Sequence, residues 1–343
     1  MGEESTRAEY NPTFIRKLPR LTFCFEMKPN PRIAVGEAYC STANLGAGFD
    51  VFGLALDKYT DRVQVRLTSG RRVRIFVKGP TGQQIPRETK KNSAGPPAIS
   101  LLRKAGLRTG LEIIIEKNVP QGLGLGSSGA SAAACTKTLD HLLGLRLPND
   151  ELVRTASLGE KAVTGTAHAD NVAASILGGF VIVYGNPIRT ISIKPPPDMI
   201  AVVVSPQLPV IENKTRKARA MVPKRIEVKK AVLNIGRASA IVAGFAKGDI
   251  RTIGMGMEDE IAEPYREGSI PGLQRVRRAA LEAGAAGVSI SGAGPSVIAL
   301  VDRTSHEPRI VGRAMIRGFA ESNVPATWFT ARAASGARII ETR

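Results

Sequence analysis

The sequence predicts an α+β fold in two lobes, and three observations predict it. Strand-like and helix-like segments alternate along the chain without any internal repeat. A glycine-rich turn within PQGLGLGSSGASAAA, residues 120–134, joins an apolar strand to an alanine-rich helix. Finally, 343 residues with 43% apolar and 23% charged side chains can bury a sizeable core and suit two domains better than one. The expected division is an N-terminal extension at 1–30, a first lobe at 31–185 and a second at 186–343.

Residues 1–30 mix charges, prolines and scattered apolar residues without a period, as a loosely held extension would. Regular structure begins with RIAVGEAYC (32–40), a strand. STANLGAGFDVFGLALD (41–57) follows, rich in small residues and punctuated by Gly46, Gly48 and Gly53. TDRVQVRL (60–67) and RRVRIFVKG (71–79) alternate as half-buried strands do. A polar, proline-bearing loop at 80–92 precedes a helix through PAISLLRKAG (97–106). LEIIIEKNVP (111–120) is a strand that delivers the chain to the glycine turn. The helix after the turn runs to Leu143 and stops at Gly144. Asn149 is the expected cap of the next helix, which has acids at 150 and 151 and ends near Gly165. GTAHADNVAASILGG (165–179) then leads into the strand FVIVYG (180–185).

In the second lobe MIAVVVS (199–205) is a strand and KRIEVKKAVLNIGRASAIVAGFAKG (224–248) is helical. VSISGAGPSVIALV (288–301) reads as strand, glycine turn, then strand or helix start. The closing ATWFTARAASGARII (326–340) is strand material.

A net charge of +18 favours anionic partners such as nucleotides, acidic metabolites or nucleic acid. The basic residues are dispersed and only 5% of the chain is aromatic, so base-stacking platforms are scarce and no nucleic-acid partner is expected. Cys24, Cys40 and Cys135 form no CxxC pair, which argues against a disulfide framework and for a cytoplasmic location. No apolar run reaches the ~18 residues that span a bilayer, so no membrane partner is expected. The start, MGEESTRAEY, lacks the character of a signal peptide. Gly2 and Thr6 match the spacing of a myristoylation signal, but Glu3 and Glu4 would repel an anionic surface.

Gly122, Gly124, Gly126 and Gly129 lack the Cβ atoms that would hold a polyanion away from the backbone. Ser127 and Ser128 add hydroxyls at a helix start, where free N–H groups carry partial positive charge. The combination is a phosphate cradle. Gly124, Gly126 and Gly129 also satisfy GxGxxG, yet the acid that a dinucleotide fold places about 20 residues on falls at Asp150, in a helix start. There is no GxxxxGK[ST]. The alternative, a tight strand-to-helix connection without a ligand, does not account for four glycines and two serines in eight residues.

The full string closely resembles the ATP-binding motif of the GHMP kinases, which phosphorylate small metabolites. STANLGAGFDVFGLALD resembles that family's first motif and SISGAGPSVIAL its third glycine loop. Within the family, NLGAGFD, GTAHADN followed by LGGF, and the pair NKTRKAR and EPYR resemble the homoserine kinase branch, over roughly residues 32–343. Tyr39 and Cys40, ahead of Ser41, depart from the small or proline residues usual there. The resemblance implies an S5-like first lobe with a left-handed crossover and a ferredoxin-like second lobe. It also implies the cofactors ATP and Mg2+ and L-homoserine as the small-molecule substrate. The oligomeric state stays open, with a homodimer as one expectation.

ATP is expected along Pro120, Gln121, Gly122, Leu123, Gly124, Leu125, Gly126, Ser127, Ser128, Gly129, Ala130 and Ser131, with Asn92 near adenine. Glu160, with the Ser128 hydroxyl, resembles the family's metal site; for an isolated helix-face acid, pairing with Arg154 or Lys161 is the alternative. Asn171 is expected at the substrate and Asp170 is the candidate base, although a loose transition state asks little of a base. The other reading makes them loop-capping residues. Asn44 and Asp50 are expected at the ammonium and hydroxyl end of homoserine, and Arg219 and Arg266 at its carboxylate. Thr215 resembles a hydroxyl near the transferred phosphate, and Gly292 and Gly294 would close over the substrate. His168 is read as ordering its loop. A mevalonate- or shikimate-type kinase is the near alternative, and a non-catalytic ligand-binding member of the fold is the distant one.

Overall fold

The structure, a computed structural model, describes residues 33–165, 168–209 and 214–343. The expected extension at 1–30 lies outside them. In chain order the first lobe contains β1 (Ile33–Asn44), β2 (Gly48–Thr68), β3 (Val73–Lys78), α1 (Gly95–Lys104) and β4 (Gly110–Glu116). It continues with α2 (Ser127–Leu142), α3 (Asn149–Thr164), α4 (Asp170–Leu177), β5 (Phe180–Tyr184) and β6 (Arg189–Ile193). The second lobe adds β7 (Met199–Pro206), α5 (Lys214–Ala220), α6 (Val228–Lys247), α7 (Ile250–Met255), α8 (Glu263–Arg266) and α9 (Leu273–Glu282). β8 (Gly287–Ile290), β9 (Val297–Asp302), α10 (Pro308–Ala320), β10 (Ala326–Ala331) and β11 (Arg338–Thr342) complete the chain.

The first sheet has strand order β11-β1-β2-β4-β3, with β5 on a second stretch of β2 and β6 on β5. β3 and β4 pair in parallel across α1, and this is the crossover that the resemblance expects to be left-handed. Strand β2 is a single run of 21 residues, although its glycines read in sequence as punctuation. Its two ends do different work: Phe52–Leu54 pair with β5, and Arg62–Thr68 pair with β4. One face of this sheet is covered by α1 to α4, whose apolar side chains (Ala98, Leu101, Ala132, Leu139, Val153, Ala173) are buried against Val63, Ile113 and Ile115. Helix α2 packs closely because its first eight residues are all Ala, Gly or Ser, and six of them are buried.

The second sheet is antiparallel in the order β10-β7-β9-β8. With α10 between β9 and β10, and helices between β7 and β8, this is a ferredoxin-like β-α-β-β-α-β arrangement. β7, MIAVVVSP, is buried on both sides, and period-2 alternation explains its unbroken apolar run. Val202 and Val204 face α9 and α10, while Ala201 and Val203 face α6 and α7. Each fully buried valine contributes about 1.5–3 kcal/mol. The α6–α7 side also meets the first sheet: Phe180 of β5 stacks on Phe245 of α6 with ring centroids 3.9 Å apart, and Phe52 meets Phe180 edge-on. This shared core welds the lobes.

Two boundaries differ from expectation. The division at 185/186 falls inside the antiparallel β5–β6 hairpin, and the last strand, β11, returns to pair with β1 of the first sheet. The chain therefore begins and ends in the same sheet. Pro148 occupies the N-cap of α3 and Asn149 is its first helical residue; Asp150 accepts hydrogen bonds from Thr190 instead.

Under the start of α2 lies a fully buried ion pair. Lys117 donates to Asp61, to the carbonyl of Ser127 and to the Ser131 hydroxyl, and Asp61 also accepts from the backbone N–H groups of Asn118 and Val119. Removing one partner leaves the other charge buried and uncompensated. Asp61→Ala should lower the unfolding free energy by about 3–5 kcal/mol in urea titrations. A loss below about 1 kcal/mol would show that Lys117 finds water when unpaired.

Candidate active site

The glycine turn links β4 to α2, with Gly122, Gly124 and Gly126 at φ of 71°, 77° and 63°. L side chains avoid this region. Space is missing as well. A Cβ on Gly124 would stand 2.1 Å from the Ser291 carbonyl oxygen, and one on Gly126 would stand 2.2 Å from Ser41 Oγ and 2.8 Å from Asn171 Oδ1. The turn is wedged between the β8–β9 loop on one side and β1 with α4 on the other. Gly126 is the N-cap of α2 and provides no side-chain cap, so the first amides of this 16-residue helix face the cleft as donors.

Beside the turn is a cavity of about 130 Å³. Gly122, Gly124, Leu125, Gly126, Ser127 and Ser128 line one wall, and Asn44, Asp50, Glu160, His168, Asp170, Asn171, Lys214, Thr215, Arg219, Arg266, Gly292 and Gly294 line the rest. Residues from seven separate stretches of sequence thus converge on one space. An adjoining recess is lined by Asn92, Gln121, Ser131 and Thr215.

Some expected nucleotide residues serve the framework. Ala130 packs in the shared core and its N–H donates to the Gly126 carbonyl, so it does not line the cavity. Ser131 is engaged with Lys117 and Asp61. Ser127 donates its hydroxyl to the Val119 carbonyl at 2.9 Å. Neither Pro120 nor Leu123 lines the cavity, and Leu123 packs toward the shared core. Asn92 lines the recess, but its amide donates to the Pro86 carbonyl and its Oδ1 accepts from the Ala94 N–H, tying down the entry to α1.

The charged groups form a ring. Arg219 holds Asp50 through two contacts of 3.0 and 2.5 Å, and His168 lies 3.3 Å from the same carboxylate. Burial pushes the Asp50 carboxyl up, but the hydrogen bonds from His168 and Arg219 outweigh it and hold it at about 2. Asp50 and Asn44 both have positive φ, and Asn44 uses its side chain at two ends. Its Oδ1 accepts from the Asp50 N–H and its Nδ2 donates to the Gly292 carbonyl. That carbonyl also accepts from Arg266 at 3.2 Å, and the guanidinium groups of Arg219 and Arg266 both lie over the Phe49 ring. Asn171 accepts from the Ser41 hydroxyl at 2.9 Å.

Asp170 is raised to about 6, by burial first and then by the Asp50 charge. Glu160 is also raised by burial, against the lowering effect of a hydrogen bond with Ser128. Lys214 donates to the carbonyls of Gly122 and Gly294, bridging the two glycine loops. Burial and the neighbouring Arg266 charge bring its ammonium down to about 7. Sequence reasoning did not mark Lys214, Phe49 or Ser41 as site residues, and read His168 as a loop residue only. The signal for Lys214 was its place directly before Thr215.

The chain matches two family models: the GHMP kinases N terminal domain over residues 93–179 and the GHMP kinases C terminal model over residues 241–318. A homoserine kinase of Thermoplasma acidophilum is 41% identical over 310 residues, which is 90% of this chain and 97% of that protein. A homoserine kinase of Aeropyrum pernix is also 41% identical, over 90% and 98% of the two chains. The chain belongs to the homoserine kinases of the GHMP kinase family. In structure it is similar to homoserine kinase from Cytophaga hutchinsonii, with a TM-score of 0.82 at 35% identity over 90% of this chain and 98% of that one. The N-terminal match takes in α1, the glycine turn and α2 to α4, and the C-terminal match takes in the Gly292–Gly294 loop. Both carry walls of the cavity.

Proposed function

We propose that this kinase transfers the γ-phosphoryl group of ATP to the side-chain hydroxyl of L-homoserine, yielding ADP and O-phospho-L-homoserine for threonine biosynthesis. One observation carries the reading. A helix-start anion cradle opens into the same cavity as two guanidinium groups and three carboxylates, the set a phosphate and a zwitterionic amino acid require together. A substrate lacking an ammonium, such as mevalonate or shikimate, would leave Asp50 to Arg219 and His168 alone.

In this reading the triphosphate lies on the amides of 122–128. Arg266 and Arg219 take the substrate carboxylate through their forked donors. Asp50 and Asn44 take the ammonium, with Asp50 shared between that group and Arg219. Asn171 holds the hydroxyl end, and Thr215 lies by the transferred group. Asp170 accepts the hydroxyl proton as the oxygen attacks phosphorus. Among the described residues there is no cluster of three or more metal-ligating side chains. A buried carboxylate raised by burial and hydrogen-bonded with a serine hydroxyl fits magnesium, which needs only one or two protein oxygens beside phosphates and water. Glu160 and Ser128 would hold it. Bound there, the ion would neutralise phosphate charge.

No helix of the described residues is long and apolar enough to cross a membrane. The proposal places the enzyme in the cytoplasm as a homodimer. The exposed Val228, Val232 and Ile235 of α6 form the apolar stripe that a second copy would cover. A monomeric mass in light scattering contradicts the dimer.

An ADP-release assay against homoserine, mevalonate and shikimate tests the substrate. Turnover is expected with homoserine alone, and preference for either other alcohol removes the reading. Arg266→Ala should raise the KM for homoserine at least tenfold and the KM for ATP less than threefold, as expected for losing ~1.4 kcal/mol or more of carboxylate contact. Equal changes in both would detach Arg266 from the substrate.

The Asp170 carboxyl is protonated in the folded chain below about 6. The folded state therefore binds this proton more tightly than the unfolded chain, and that stabilising contribution is lost as pH rises through about 6. The base form appears over the same interval. The kcat/KM for homoserine should climb as pH rises through about 6, and Asp170→Asn should be slow with that limb absent. An unchanged limb in Asp170→Asn would take the base role away.

A further inference from the structure

We propose that Lys214 is a further catalytic residue, an ammonium that leaves two backbone carbonyls to bind the γ-phosphoryl group during transfer. The inference rests on the kinase reading above and concerns a side chain with no role in it.

Three cations line the cavity, and two are committed to the substrate side. Arg219 is locked on Asp50, and Arg266 is held against the Ala218 and Gly292 carbonyls over Phe49. Lys214 is held differently. Among the described residues it forms no ion pair, and its Nζ donates only to the neutral carbonyls of Gly122 and Gly294. Those oxygens flank the point where the turn is tightest, since a Cβ on Gly124 would stand 2.9 Å from the Gly294 oxygen. The ammonium thus sits on the phosphate cradle itself, at the seam between the two glycine loops.

The stem of a lysine has four rotatable bonds, so its head can swing by a few ångström without moving α5. Carbonyl dipoles hold an ammonium weakly compared with a phosphate dianion, so an arriving phosphate would draw it over. Burial and the Arg266 charge reduce its own protonation in the free protein, and a neighbouring phosphate would restore it. A compact point charge suits the task, because charge on the moving phosphoryl group is spread over three equatorial oxygens.

The step balances simply. The homoserine oxygen forms a bond to the γ-phosphorus, and the bond from phosphorus to the β–γ bridging oxygen breaks, its electron pair departing on ADP. The hydroxyl proton passes to Asp170. Lys214 stays protonated throughout and donates to the phosphoryl oxygens, so it stabilises charge without exchanging a proton.

The test compares wild type with Lys214→Met and Lys214→Arg in two readouts: steady-state kinetics, and calorimetric affinity for ADP against a non-hydrolysable ATP analogue. Lys214→Met should lower kcat about a hundredfold, the scale of losing one charge-stabilising donor. Its KM for homoserine should stay within threefold. It should bind ADP within threefold of wild type and the analogue at least tenfold more weakly, and Lys214→Arg should recover most of both losses. A Lys214→Met enzyme with kcat within threefold of wild type overturns the proposal. So does equal weakening of ADP and analogue in both variants, which is the signature of a latch between loops. The binding arm needs no turnover, so it judges Lys214 even if homoserine proves to be the wrong acceptor.

Discussion

Two glycine-bearing loops approach each other more closely than any side chain allows, and the architecture of the cleft depends on that approach. The turn at 122–126 has the Ser291 and Gly294 carbonyls on one flank and Ser41 with Asn171 on the other, at distances that a single Cβ would violate. Hydrogen bonds then pin the contact. The Ser291 hydroxyl lies 2.8 Å from the Gly124 carbonyl and 2.9 Å from Thr42 Oγ1, and the Gly292 N–H donates to the Ala43 carbonyl. With the flanks sealed, the remaining open direction for the first amides of α2 is the cavity. Bare backbone becomes a binding surface because its neighbours leave it nowhere else to face.

The supporting layers serve that arrangement. Lys117 and Asp61 fix the start of α2 from beneath, and the Phe52–Phe180–Phe245 stack holds the two sheets so that β8–β9 reaches the turn. Glu263 of α8 accepts from Arg277 and from the Ile290 N–H, which docks α8, and with it Arg266, against β8. The charges inside the cavity are graded by their surroundings. Asp50 is held at about 2 by its hydrogen bonds with His168 and Arg219, while Asp170, its close neighbour, is kept near 6 by burial and by Asp50 itself. In the proposed mechanism the two aspartates thereby take different tasks: one stays ionised as a ligand for cations, and the other is poised to exchange a proton.

Much of this was legible in the sequence. Positive-φ positions advertise themselves as glycines, so the turn at 122–126 and the loop at 292–294 could be read directly, and β7 showed its two-sided burial in an unbroken apolar run. The rest was hidden for physical reasons. Gly48 and Gly53 read as breaks, yet they lie within one long strand where close neighbours exclude a side chain: Asp170 at Gly53, Phe52 and Asn44 at Gly48. The Lys117–Asp61 pair joins a residue of β2 to one just past the end of β4, 56 positions apart, and nothing local marks either as buried. Lys214 belongs to the basic string KTRK, whose ordinary meaning is a solvated helix face. The return of β11 depends on which edge of the first sheet is open, and no local pattern encodes that.

The central claim is that main-chain amides between Gly122 and Ser128 hold the triphosphate while the arginine side of the same cavity holds the acceptor. A crystal structure with a non-hydrolysable ATP analogue and L-homoserine tests it most directly. The account predicts phosphate oxygens on those amides and the homoserine carboxylate at Arg266. Nucleotide bound elsewhere, with the turn in contact with solvent alone, would contradict it.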